Sequence, residues 1–395
     1  GWTTTSPRCI EGADVIEWTA EQTELRKGLA RWGEELSEGH LERDGAARFS
    51  WDKWRLICAS GLISLPFPQR WGGLGQSLTT TMYALEGLGE HCRDSGLNFS
   101  VTTTMASTGI PLEHFGTESQ KKKYLPRVCS GEMIGAHAIT EPGNGSDALG
   151  MATRADRDGD HFVLNGSKAF VSNGPVADVF VVYARTRPDG GALGVTAFLV
   201  DRATPGLSVG EPTEKMGLRS SPLGELFLDD CRVPAHQVLG RVGGGFLVLD
   251  FVMKREILLS FVVNTGEMSH RLARCVDYAR SRKAFGCPIG SYQSVSNKIV
   301  DMKIRLETSR KWLFDTGERL EAGEDVTADL AIAKLVTSES NVASSLDAVS
   351  IFGGYGYMAE YGLEKDVRDA VGGTIYSGTN DIQYNRIAST LGLNP

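Results

Sequence analysis

Four stretches of this chain hold residue types that could do chemistry together. Ala138 to Gly150 reads AITEPGNGSDALG, where Thr140, a Pro-Gly turn, Gly145 and Ser146 put hydroxyls and backbone N–H groups on one tight loop. Such a loop can cradle a phosphate or the polar edge of a cofactor, although a plain turn accounts for the same residues. In GSKAFVSNG (166–174), Phe170 and Ser172 are two apart on a strand-like run and so share a face. The ring can lie against a flat ligand while the hydroxyl donates to it. Arg282, Phe285 and Gln293 fall in ARSRKAFGCPIGSYQSV (279–295), a helix end followed by a Gly/Pro turn; a guanidinium there suits a phosphate. The fourth stretch, 350–388, contains Gly353 and Gly354 and the turn Tyr376-Ser377-Gly378-Thr379. The paired glycines let a backbone approach a ligand closely. Taken singly, Phe170 reads as core packing and Arg282 as a favourable charge at a helix C-terminus.

A further group of charges lies in FLVLDFVMKREILLSFVV, from Phe246 to Val263, the most apolar run of the chain. Four charges there (Asp250, Lys254, Arg255, Glu256) argue against a membrane span and for a buried helix. Asp250 and Lys254 are spaced to pair on one helix face. Arg255 and Glu256 then need partners elsewhere, because an unpaired buried charge is expensive.

The elements that must position these residues come in three blocks. Residues 1–135 read as a helical domain, with helices from a Thr19 cap to Trp32, from Thr79 to Cys92, near 100–115, and from Glu118 to Val128. Pro66 to Gly75 is a Pro/Gly-rich turn. Residues 136–240 turn to short apolar runs between Gly, Asp and Asn, which predicts a small β barrel or sandwich. Asn165-Gly166 inside HFVLNGSKAFVSNG predicts a hairpin; 178–184, 194–200 and 225–233 are further strands. Residues 241–395 return to long amphipathic helices at 245–281, 291–321 and 326–352, then the 353–357 turn, a helix near 361–370 and one from Asn380. Such helices with short connections predict a four-helix bundle. The fold class is therefore α+β, in the order helical, β, helical.

Composition narrows the setting. The chain has 395 residues, with 41 Lys and Arg against 49 Asp and Glu, a balance of −8. That charge disfavours a general nucleic-acid partner. Seven scattered cysteines form no zinc-spaced cluster, which fits free thiols in a reducing compartment and no metal. Gly1-Trp2-Thr3 has no basic-then-apolar export pattern, so a cytoplasmic protein is expected.

Together the four motifs, with WGGLG (71–75) and GTESQKKKYLPRVCSGE (116–132), resemble the acyl-CoA dehydrogenase family over nearly the whole chain. The resemblance implies that fold, bound FAD, a homo-oligomer (tetramer or dimer), and α,β-dehydrogenation of an acyl thioester on CoA or on an acyl or peptidyl carrier protein. An electron-transfer flavoprotein is an implied partner. His137, Ile139 and Thr140 are implied at the flavin edge, with Gly145 in the same loop and Ser146 nearer the pantetheine and the cofactor phosphates. Phe170 stands where the family usually has Trp beside the flavin, and Ser172 where it has Thr. Arg282, Phe285 and Gln293 match residues reaching FAD from a neighbouring subunit. Gly353 and Gly354 match the pyrophosphate-side turn, and Ser350 replaces the usual Gln before it. Thr379 and Asp381 complete the implied cofactor set. Leu97, Phe99, Thr103, Tyr376 and Gly378 are implied around the substrate.

The base is where the chain departs from that pattern. Drawing a proton from the carbon next to a thioester carbonyl needs a carboxylate. The family usually places Glu in a Tyr-Glu-Gly-Thr turn; here the residue is Ser377, whose hydroxyl needs activation by another base. Its backbone N–H can still clamp the thioester oxygen. Some relatives carry the Glu on the first bundle helix, just before an Arg, and a gap-free reading puts Lys254 and Arg255 there. The family Arg lies beneath the active-site Tyr, which implies Arg255 beneath Tyr376. Glu256, turned about 200° from residue 254, is the candidate base if the helix shifts locally. Three functions stay open: a thioester dehydrogenase with a displaced base, a flavin oxidase or monooxygenase, and a catalytically silent flavoprotein.

Overall fold

The computed structural model describes residues 17–393; the N-terminal tripeptide and Cys9 lie outside them. Helix α1 (Ala20–Ser37) starts at Thr19, where Thr19 and Gln22 satisfy each other's backbone N–H in a capping box. It runs five residues past Trp32, its buried side set by Leu29, Gly33 and Leu36. Short helices α2 (His40–Gly45) and α3 (Trp51–Ser60) follow, then α4 (Leu78–His91). Helix α5 (Ser95–Thr104) is capped by Asp94 and continues through a π-turn, Met105–Gly109, into α6 (Ile110–Phe115). Helix α7 (Glu118–Cys129) begins with a second capping box, Thr117 and Gln120.

The middle block is one eight-stranded sheet. Its strands are β1 (Gly135–Ala138), β2 (Arg154–Asp158), β3 (His161–Ser172), β4 (Val179–Arg185), β5 (Val195–Asp201), β6 (Leu207–Val209), β7 (Leu223–Pro234) and β8 (Val238–Leu239). The order is β6-β7-β3-β2-β4-β5-β8, with β1 lying parallel to β4 so that His137 pairs with Val181.

The hairpin expected at Asn165-Gly166 is corrected. Both residues lie inside the continuous strand β3, where the register slips between Leu164 and Gly166. Gly166 takes φ +149°, and a Cβ there would meet Thr153 Oγ1 at 2.6 Å. The extra residue is on β7, where Asp229 and Asp230 (φ +47°) stand opposite Asn165, so the Asn-Gly pair faces a bulge in its partner strand. The tight turn is at Gly159-Asp160, between β2 and β3, with Gly159 at φ +61°.

The last block holds α8 (Gly245–Ser281), the small hairpin β9 (Lys283–Ala284) and β10 (Cys287–Pro288), then α9 (Gln293–Glu321), α10 (Thr327–Phe352), α11 (Leu363–Gly372) and α12 (Asn380–Thr390). Helices α8, α9 and α10 pack on one another, with α11 and α12 against α10. Among the described residues no helix is long and apolar enough to cross a membrane, and no group of side chains is arranged for a metal. Glu86 of α4 joins the first and last blocks. It is buried and accepts from Arg26 of α1, from Arg310 of α9 (Nε at 2.7 Å) and from Thr265 of α8 at 3.0 Å.

Candidate active site

The turn between α11 and α12 is held in an uncommon shape. Ser377 has φ +56° and Gly378 φ +84°, the left-handed region that a residue with a Cβ seldom occupies. Buried Gln383 fixes it by donating to the Ser377 and Gly378 carbonyls at 3.4 and 3.1 Å. Thr379 caps α12, and Asn380 is anchored by Lys334 Nζ at 2.7 Å. Backbone strain of this kind persists where surrounding structure over-determines it.

Into this turn comes Glu256 from α8. The Ser377 hydroxyl donates to Glu256 Oε1 at 2.6 Å. The other carboxylate oxygen, Oε2, is buried without a hydrogen bond and lies 3.4 Å from His137 Nε2. Helical spacing explains the approach: residues 256, 260, 264 and 267 fall within about 80° of one another at 100° per step. They form a polar stripe (Glu256, Ser260, Asn264, Glu267) on an otherwise apolar helix.

One expectation for this helix holds and one is overturned. Lys254 pairs with Asp250 at 2.8 Å, as their spacing indicates, and so does not occupy the position beside the turn that a gap-free reading gives it. Arg255 does not lie beneath Tyr376. Its guanidinium covers the Phe251 ring at 3.5 Å and donates to the Phe251 carbonyl. Nine helical steps separate Arg255 from Asn264, about 180° of rotation, and Asn264 is the residue that meets Tyr376. No local helix shift is needed for Glu256 to reach the site, because α8 is continuous there.

Tyr376 closes the other side. Its ring packs against Phe99 and Phe261, with centroids 4.8 and 5.2 Å away, and its hydroxyl donates to Asn264 Oδ1 at 3.2 Å. Asn264 Nδ2 donates onward to Glu267 Oε2 at 3.2 Å. Burial pushes the Glu267 carboxyl up to about 7, opposed by a hydrogen bond from Ser95. Leu97 and Thr103 are buried in α5 beside Phe99.

Residues 139–153 form a stapled loop. Burial opposes a charge on Glu141, yet hydrogen bonds from Lys168, Thr153 and Ala152 bring it down to about 2. Lys168 Nζ also donates to the Ile139 carbonyl at 3.0 Å, and Ala169 N–H to the Thr140 carbonyl at 2.8 Å. Gly145 and Ser146 stand exposed at the tip. Next to this loop Phe170 sits at φ +55° with 67% of its surface exposed. Burial alternates from Ala169 to Ser172, so Phe170 and Ser172 share the outer side of β3.

Matches to family models run in the same order along the chain. Residues 19–132 match the acyl-CoA dehydrogenase N-terminal domain, 136–231 its middle domain and 243–392 its C-terminal domain. The chain belongs to the acyl-CoA dehydrogenase family. It is 42% identical over 346 residues to an L-prolyl-[peptidyl-carrier protein] dehydrogenase of Pseudomonas fluorescens, covering 87% of this chain and 91% of that protein. The crystal structure of the prolyl acyl carrier protein oxidase AnaB superposes with a TM-score of 0.94 at 39% identity, over 95% of this chain and all of the other. PigA with FAD and proline gives 0.93 at 36% identity, over 96% and 99%.

Within this acyl-CoA dehydrogenase fold, a cavity of about 570 Å³ lies beside Arg282, Phe352, Gly353, Gly354 and Tyr355. Gly353 takes φ +61°, and a Cβ at Gly353 or Gly354 would meet open space. Arg282 stands over the Tyr355 ring at 5.6 Å. Ser350, three residues before Gly353, is exposed; Gln293 at the start of α9 and Asp381 at the start of α12 are exposed too, and Phe285 is 96% exposed at φ +51°. Sequence reading missed Asn264, Glu267 and Gln383. The first two were visible as the polar stripe of α8; Gln383 left no signal, since its role depends on the turn it faces.

Proposed function

We propose that this chain is an FAD-dependent dehydrogenase of an acyl thioester presented by a carrier protein, with Glu256 as its base. The observation that carries this reading is the Glu256 carboxylate held 2.6 Å from the Ser377 hydroxyl, its second oxygen buried and unpartnered. A carboxylate fixed by one oxygen and bare at the other is arranged to accept a proton. The turn that lacks Glu at 377 thus receives one from α8.

The exposed left-handed Phe170, the hydroxyl of Ser172, the stapled 139–153 loop and the open Gly353-Gly354 turn fit a flat ring system with a pyrophosphate tail. His137, Ile139, Thr140, Gly145, Ser146, Arg282, Phe285, Gln293, Ser350, Thr379 and Asp381 complete the proposed cofactor set, Phe285 across a subunit contact of a dimer or tetramer. FAD supplies a two-electron hydride acceptor when bound. The chain's own residues then divide the remaining work. Glu256 Oε2 takes the α-proton. The Ser377 N–H, presented by the strained turn, clamps the thioester oxygen, with Gly378 beside it. Phe99 against Tyr376 shortens the acyl pocket, so a compact group fits. Ser146, Leu97 and Thr103 line the approach. The prolyl carrier-protein relatives make a prolyl thioester on a carrier protein the first substrate to test, in a cytoplasmic setting. An electron-transfer flavoprotein and molecular oxygen are the electron acceptors to compare.

The test is anaerobic mixing of FAD-loaded protein with prolyl and simple acyl thioesters, each on a carrier protein and on CoA. Bleaching of the flavin by a carrier-bound thioester, at least about tenfold faster than by its CoA counterpart, supports the reading. Reduction only by NAD(P)H with oxygen uptake points to a monooxygenase, and no reduction at all to a silent flavoprotein.

A further inference from the structure

Three buried polar atoms without hydrogen-bond partners gather at one place: Glu256 Oε2, His137 Nδ1 and the Tyr183 hydroxyl. Buried polar groups are nearly always paired, so these three atoms have hydrogen-bonding capacity to spare. Strand geometry brings two of them together. His137 on β1 pairs with Val181 on β4, and Tyr183 is two residues further along β4, on the same face. Helix α8 brings the third. Burial raises the Tyr183 phenol well above its usual range, and the Glu256 charge adds to that, which keeps the hydroxyl protonated beside the carboxylate.

We propose that His137 is the proton-relay residue that takes the substrate proton on from Glu256. This rests on Glu256 being the base. Oε1 is occupied by the Ser377 hydroxyl, so the α-proton arrives on Oε2, the oxygen facing His137 Nε2 at 3.4 Å. That separation holds no hydrogen bond in the resting site. A neutral imidazole with its hydrogen on Nδ1 sets a ring lone pair against a carboxylate lone pair, and one added proton between them makes a hydrogen bond. The balance is as follows. The Cα–H bond breaks and an O–H bond forms on Oε2. The electron pair left on carbon would become the new double bond, with the β-hydrogen leaving as hydride to the two-electron acceptor that FAD would supply when bound. The O–H bond then breaks, an N–H bond forms on Nε2, and Glu256 is a carboxylate again for the next substrate. The imidazolium returns to neutral by releasing one proton to water. His137 thus acts through Glu256.

The experiment compares wild type with His137→Ala and His137→Gln, after flavin absorbance and melting temperature show that each variant is folded and loaded. The glutamine variant guards against collapse at the alanine. With flavin occupancy matched, the ratio of steady-state turnover to the single-turnover bleaching rate is expected to fall at least about tenfold in both variants. Added imidazole restores turnover in His137→Ala, and among substituted imidazoles of similar size the restored rate rises with basicity. A ring that merely fills space gives no such trend. An unchanged ratio in both variants, or rescue independent of basicity, overturns the relay. Wild-type protein that no thioester bleaches overturns the dehydrogenase reading itself and the relay with it.

Discussion

The Ser377 hydroxyl donates a 2.6 Å hydrogen bond to Glu256 Oε1, joining a strained turn to a helix 121 residues earlier in the chain. The bond orients the carboxylate and also draws charge from it. Ser377→Ala is therefore expected to lower the rate of flavin bleaching by about 10- to 150-fold at most, since a single neutral donor to a charged acceptor contributes about 1.5–3 kcal/mol. Ser377→Glu combined with Glu256→Gln moves the carboxylate across that bond and recovers bleaching relative to Glu256→Gln alone. Stopped-flow absorbance measures both.

Phe99 stands against Tyr376 with ring centroids 4.8 Å apart. Phe99→Ala removes that wall and opens the pocket along α5. Specificity is expected to shift toward longer acyl thioesters by about 10–200-fold in relative kcat/KM, the range that methylene-scale pocket changes supply. Competition between short and long acyl thioesters checks it. An unchanged ranking places the acyl group elsewhere.

Glu267 is a buried carboxyl raised from 4.5 to about 7. The folded state then holds a proton that the unfolded state releases between those two values, so stability falls as pH rises through that window and is level above it. Glu267→Gln should flatten the fall and stabilise the protein at pH 8, by on the order of 2 kcal/mol. Urea unfolding at pH 4.5, 6 and 8 gives the comparison. A mutant curve parallel to wild type rules out Glu267 as its source.

Lys168 is fully buried and bonded to Glu141 at 2.8 Å. Lys168→Met leaves that carboxylate unpaired and should cost about 3–5 kcal/mol, as breaking a buried pair does. The double change with Glu141→Gln should recover part of the stability yet still weaken FAD binding, because the 139–153 loop loses its staple. Because Glu141 is lowered to about 2 from 4.5, its stabilisation is full above 4.5 and is lost as pH falls toward 2. Denaturant melts and flavin titration separate the two effects.

Much of this architecture was legible in the residues. Capping boxes at Thr19 and Thr117 are local signals, and they set α1 and α7 where their sequences indicate. The Asn165-Gly166 pair misled because its turn preference is local, while its place inside β3 is set by β7, whose Asp230 N–H donates to Asn165 Oδ1 at 2.9 Å. Glu256 was visible as a candidate, and its rotation away from residue 254 was read correctly. What the sequence hid was which face of α8 meets the Tyr376 turn. That is fixed by Asn264 and Phe261 packing on Tyr376, contacts between segments more than a hundred residues apart. Arg255 was misplaced for the same reason.

The most direct measurement is the anaerobic rate of flavin bleaching by a carrier-bound thioester in wild type and in Glu256→Gln. The amide keeps the size of the side chain and can still meet Ser377, but it cannot accept the α-proton. The account predicts a rate lowered by about 10²–10⁴-fold, with flavin content and melting temperature unchanged. A Glu256→Gln protein that bleaches within about threefold of wild type contradicts it, and the base must then be sought elsewhere.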